Sequence, residues 1–169
     1  MSLVVYIMIV IAAFAFMEGV AWFAHKYIMH GFLWHLHKDH HQPHENFFEK
    51  NDFFFLIFAI PGWLCIQFGW QAENWYVVSA GCGITLYGLA YFLVHEIIIH
   101  QRLKIFTKSN NRYIRSIRWA HKMHHRHLNK EHGESFGMLF VARRYRDKIK
   151  KDEQLQKRHS NLIQNSSGQ

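Results

Sequence analysis

The chain has 169 residues, one domain by length; half of them are hydrophobic, 17% are aromatic, and the formal net charge is +8. So apolar and yet so basic a composition excludes an ordinary soluble globule. The two cysteines, Cys65 and Cys82, lie in apolar runs away from any histidine, which excludes a disulfide framework, a four-thiolate iron–sulfur cluster and a Rieske centre.

Leu3 to Ala24 is long enough to cross a bilayer core as a helix, which takes about 20 residues. A secretory signal is the competing reading, but the start, MSLVVY, lacks a basic region and the apolar run is long, so the span is read as retained. Phe53 to Trp70 is a second span, with Pro61 as a kink that neighbouring helices tolerate. Trp75 to Val94 is a third, its apolar character running on to Ile99. The link 71–74 has no Lys or Arg and is flanked by Trp70 and Trp75, aromatics suited to a membrane interface, so spans two and three form a hairpin. Seventeen of the twenty Lys and Arg lie from Arg102 to Arg158, and the positive-inside rule puts that segment in the cytoplasm. Residues 25–52 then face the cytoplasm as well. Asn110–Asn111 start an interfacial helix in which Tyr113, Ile114, Ile117, Trp119 and Ala120 alternate with Arg112, Arg115 and Arg118. The fold expected is all-α: an integral membrane bundle of about three to four transmembrane helices under a cytoplasmic, histidine-rich di-metal cap. Residues 1–151 form that single domain, and 152–169 read as a polar, disordered tail.

Ten of the fifteen histidines fall into four clusters with two spacings, each used twice. His25/His30 and His95/His100 are His-x4-His pairs; His37, His40, His41 and His121, His124, His125 are His-x2-His-His triplets. Neutral imidazole is a common ligand for Fe, Zn, Cu and Ni. Positions i, i+3 and i+4 share a helix face, so each triplet is able to aim its rings together. Positions i and i+5 lie roughly 140° apart on a regular helix, so each pair converges only where its helix ends, bends or widens. The topology brings all four clusters to one membrane face. A closed structural zinc site needs about four ligands; ten imidazoles suit two metals with five each, leaving room for water, a bridging oxygen species or O2. Iron is favoured, since an apolar membrane site attacking unactivated C–H bonds needs a redox metal and O2; zinc is a possible occupant on isolation.

His35, His44, His127, His132 and His159 read as surface or outer residues, with His44 and His127 as possible extra ligands. Carboxylates and amides that hold the outer nitrogens of the ligands are sought at Glu18, seven residues before His25 on nearly the same helix face, and then at Asp39, Glu96, Asn51, Asp52 and Glu134. A metal transporter would place its ligands near the bilayer midplane, and a bis-haem carrier needs axial pairs within the bilayer; these clusters sit at span ends. The basic C-terminal half fits anionic lipids and an acidic electron donor, and no nucleic-acid motif is present.

The runs HKYIMHGFLWHLHKDHHQP, HEIIIHQR, WAHKMHHRH and ESFGMLFVARRYR resemble bacterial non-haem carotene hydroxylases of the fatty acid hydroxylase and sterol desaturase superfamily, over roughly Phe16 to Arg146. The resemblance implies a di-iron monooxygenase of the bacterial inner membrane. It would use O2 and electrons from reduced ferredoxin, without haem, to hydroxylate carbon 3 of a carotenoid β-ionone ring. It also implies that the ten clustered histidines are the ligands, with no catalytic residue separate from the metal centre. Related oxygenases acting on fatty acyl chains, sterols or a carotenoid ketolase position are the alternatives. His35 stands where the resemblance does not call for histidine.

Overall fold

The computed structural model describes residues 2–42, 48–105 and 107–166. α1 (Leu3–Phe23) starts at Ser2, whose hydroxyl accepts the Val4 N–H at 3.2 Å. Apart from the buried Glu18 it is apolar, and Leu3, Ile7, Ile11 and Phe16 are exposed, which suits lipid rather than water. α3 (Phe55–Gln71) runs as one helix through Pro61, and α4 (Trp75–Tyr91) returns against it. Asn74 ends the turn between them by accepting the N–H groups of Tyr76 and Val77 at 3.2 and 3.3 Å. Together with their flanking turns, Leu3–Phe32, Lys50–Gln71 and Trp75–Ile99 are long and apolar enough to cross a membrane. The expected three spans and hairpin are present.

Small residues let the spans touch, as packing inside lipid requires. A methyl group on Gly83 of α4 would lie 2.5 Å from the Val10 carbonyl oxygen of α1, and one on Gly81 would lie 2.9 Å from Cys65 Cβ of α3. Gly83→Val is therefore expected to push α1 off α4 and to cost about 1–3 kcal/mol, read as a lower melting temperature in detergent micelles. An unchanged melting temperature would mean that the helices do not pack through this glycine.

Two of the three spans change form at the same end of the bundle. α1 widens into a π-helix over Ala24–Phe32, closed by the Leu33 N–H on the Ile28 carbonyl at 3.0 Å, with Gly31 outside helical geometry at φ −102° and ψ −121°. α4 widens over Phe92–Ile99, where the His100 N–H donates to the His95 carbonyl at 2.9 Å. Between these segments lie α2 (Trp34–His41), a 3-10 turn (Lys50–Phe54) leading into α3, and α5 (Arg112–His125), which is capped by the Asn111 side chain.

The tail expected to be disordered from Asp152 is instead helical to Ser166, as the second half of α6 (Arg143–Ser166). α6 as a whole contains no glycine or proline and is rich in Lys, Arg and Gln, which favour helix. Its Glu153 holds Arg112 and Arg115 of α5 at 2.6 and 2.8 Å, and Lys148 pairs with Asp152 one turn on.

Candidate metal centre

The π-helical turns solve the spacing problem of the His-x4-His pairs. A widened turn brings residues i and i+5 to one side, and the ring centroids stand 5.3 Å apart for His25/His30 and 4.6 Å apart for His95/His100. The four clusters then meet as two groups with ligand atoms within 4.8 Å of one another: His25, His30, His37, His41 and His124, and His40, His95, His100 and His121. The His125 ring lies between the groups, 4.4 Å from His121 and 4.7 Å from His40 of the second and 4.5 Å from His41 of the first.

The triplets do not each serve one point, as their shared helix face suggested. His37 and His41 turn into the first group while His40 enters the second; His124 joins the first group while His121 enters the second. The i+3 residue of each triplet crosses over, so α2 and α5 each span both groups.

The outer ring nitrogens are held by oxygen. Nδ1 of His25, His30, His41 and His124 donates to the backbone carbonyls of Phe136, Lys130, His127 and Glu134 at 3.0, 3.1, 3.0 and 2.8 Å. His37 Nδ1 donates to Asn51 Oδ1 at 2.7 Å. In the second group, Nδ1 of His40 and of His95 donates to Glu49 Oε2 and Glu96 Oε1, both at 2.6 Å. These oxygens only accept, so the protons sit on Nδ1 and the Nε2 lone pairs face inward. His37 Nε2 lies 3.2 Å from His25 Nε2 and 3.1 Å from His41 Nε2, and His30 Nε2 lies 3.2 Å from His124 Nε2. Lone pairs at that range repel each other, and a cation among them turns the repulsion into ligation. Nε2 of His40 and of His125 is buried without a hydrogen-bond partner among the described residues. The donor set thus fits two metal ions.

Burial, the largest cause at His37, His40, His41, His100, His121, His124 and His125, keeps these seven imidazoles neutral, the form that binds metal. It depresses His37 and His124 to about 2, His125 to about 3 and His41 to about 4, and holds His40, His100 and His121 well below the ordinary histidine value.

The outer residues sort differently from the sequence reading. Asn51 and Glu96 hold ligand-type histidines directly. Glu134 does so through its backbone, its carboxylate pairing with Arg144. Asp39 accepts the Lys50 N–H at 2.8 Å, and Asp52 pairs with Arg102 at 2.8 Å; both stand one layer back. Glu18 is also further out: Oε2 accepts the Tyr87 hydroxyl at 2.8 Å, and Oε1 accepts the N–H groups of Met138, Leu139 and Phe140 at 2.9, 2.8 and 3.0 Å. Seven residues of helix are about 10 Å of rise, too far for a shared face to bring Glu18 to the His25 ring. His127 contributes its carbonyl. His35, His132 and His159 are exposed, and His44 lies outside the described residues. Sequence reasoning missed Glu49 and Arg102. Arg102 lies 3.3 Å from Glu49, 2.8 Å from Asp52 and 2.7 Å from Glu96, joining two carboxylates at the start of the 3-10 turn to one on the widened end of α4.

A cavity of about 360 Å³ opens beside the histidines. His25, His95 and His121 line it, and Phe54, Phe55, Phe58, Tyr91, Phe92 and Phe136 supply an aromatic lining. An apolar pocket with a few convergent polar groups is the usual form of a small-molecule site.

Comparison with known proteins agrees with this chemistry. Residues 10–143 match the family described as Fatty acid hydroxylase. The chain is 40% identical to a "Beta-carotene hydroxylase" of Pseudescherichia vulneris over 136 residues, 80% of this chain and 77% of that one. It is 41% identical to a protein of the same name from Pantoea ananas, over 74% of this chain and 71% of that one. A "Beta-carotene 3-hydroxylase 2, chloroplastic" of Arabidopsis thaliana is 33% identical over 87% of this chain and 48% of its own length. No solved structure matches the chain. Three apolar spans, two buried histidine groups able to hold metal and this kinship place the chain in the fatty acid hydroxylase family, with the beta-carotene hydroxylases.

Proposed function

We propose that the chain is a membrane monooxygenase that hydroxylates carbon 3 of the β-ionone rings of β-carotene, giving β-cryptoxanthin and then zeaxanthin. The observation that carries the proposal is the aromatic cavity lined in part by His25, His95 and His121, in a chain 40% identical to a beta-carotene hydroxylase. The ligands would be His25, His30, His37, His41 and His124 for one ion and His40, His95, His100, His121 and His125 for the other. Iron is the metal that suits this reaction, and when bound it supplies O2 activation. One oxygen atom enters the C–H bond and the other leaves as water, consuming two electrons and two protons.

The chain's own residues do the placing. Phe54, Phe58 and Tyr91 present an apolar surface that seats a ring beside these histidines and keeps water away from it. The carbonyls of 127–136, Asn51, Glu49 and Glu96 fix the imidazole orientations. The electrons come from an acidic carrier of the ferredoxin type, and the basic surface of Arg112, Arg143, Arg146 and Lys150 between α5 and α6 suits its docking. The same basic half meets anionic lipids on the cytoplasmic face, where the positive-inside rule puts the histidines.

Expression in β-carotene-accumulating bacteria, followed by pigment analysis, tests the reaction. β-Cryptoxanthin and zeaxanthin are the expected products, with two metal ions per purified chain and no Soret band. A metal-loaded protein that leaves β-carotene unchanged would overturn the substrate, and a Soret band would overturn the non-haem centre.

A further inference from the structure

The two histidine groups have different outer supports. In the group of His25, His30, His37, His41 and His124, every ring is backed by a neutral oxygen: four backbone carbonyls of residues 127–136 and the Asn51 amide. In the other group, His40 and His95 are backed by the carboxylates of Glu49 and Glu96, at 2.6 Å each. Charge-assisted bonds of this kind are shorter and roughly twice as strong as neutral ones. A carboxylate on the outer nitrogen also makes the inner one a better donor to a cation. Arg102 fixes both carboxylates from behind, contacting Glu49 Oε1 and Glu96 Oε2, so each keeps one oxygen on its histidine. Counting Glu49, Glu96 and Asp52 against Arg102, this support carries a formal charge of −2, whereas the atoms supporting the first group are all uncharged amide oxygens.

We propose that the two metal sites are inequivalent by construction: the carboxylate-backed site of His40, His95, His100, His121 and His125 fills first and holds its ion more tightly, and Glu49 and Glu96 are its positioning residues. The carbonyl-backed site fills second and is the labile one. This rests on the reading that both groups bind an ion.

Anaerobic equilibrium titration of the chelator-stripped, detergent-solubilised full chain with cobalt(II) tests it. Two ions bound in two resolved phases are expected. Glu49→Gln and Glu96→Gln should each weaken the tighter phase about 10- to 100-fold and leave the weaker one in place. Asn51→Asp, which puts a carboxylate on His37, should strengthen the weaker phase about tenfold or more, a gain that damage to the fold does not produce. Two ions bound with equal affinity, or a weaker phase lost in the glutamine variants while the tighter one stays, would overturn the proposal. Fewer than two ions bound by the unmodified chain would instead overturn the two-metal reading beneath it.

Discussion

His124→Ala is expected to abolish β-carotene hydroxylation, with a fall of at least about a hundredfold. Its ring is fully buried, its Nε2 lies 3.2 Å from that of His30, and its Nδ1 is held by the Glu134 carbonyl. It is also the one residue that α5 gives to the first group. Alanine removes one of the five imidazoles proposed to hold the first ion. The same loss is expected at each of the other nine clustered histidines, whereas His35→Ala and His159→Ala, at exposed positions, should be silent. Pigment analysis paired with metal content decides the matter. Near-normal hydroxylation in several of the cluster variants would show that the two groups are not the reacting centre.

Glu18→Ala should be the most damaging change outside the histidines. One carboxylate accepts four hydrogen bonds, from Tyr87 and from the N–H groups of three consecutive residues, 138–140. Removing it strands buried donors, each costing about 1–3 kcal/mol, in a chain whose whole stability is of order 5–15 kcal/mol. The damage extends to the metal centre. The loop that Glu18 pins supplies the Phe136 and Glu134 carbonyls that hold His25 and His124. Loss of cooperative thermal melting, together with the loss of one metal ion per chain, is the expected result. Glu18→Gln should keep much of the fold, because an amide oxygen still accepts the three N–H groups and the Tyr87 hydroxyl is able to accept from the amide. A Glu18→Ala protein that melts normally and carries both ions would show that the loop is held by other contacts.

Much of the fold and of the site is written in side-chain types at fixed spacings. The apolar runs give the spans, and an i, i+5 pair of histidines that is to converge demands a helix that is not α, which the π-helical turns at His25–His30 and His95–His100 supply. The outer layer is hidden for a physical reason. Four of its acceptors are backbone carbonyls, which every residue possesses, so Lys130 and Phe136 carry no mark of their role. Arg102 was concealed among the basic residues that follow the third span, and Glu49 lies in a polar segment without periodicity. The crossing of the triplets was equally invisible, because i+3 and i+4 look alike until the partner helix is in place. Glu18 misled because helical phase shows direction and not reach.

The crossing has a geometric consequence. Since His40 leaves α2 for one group while His37 and His41 serve the other, and α5 divides its histidines likewise, the separation of the two centres is gauged against single turns of helix. α2 and α5 are two such rulers, each carrying histidines of both groups. Neither group is therefore independent of the other, and a substitution that unwinds α2 or α5 is expected to disturb both at once.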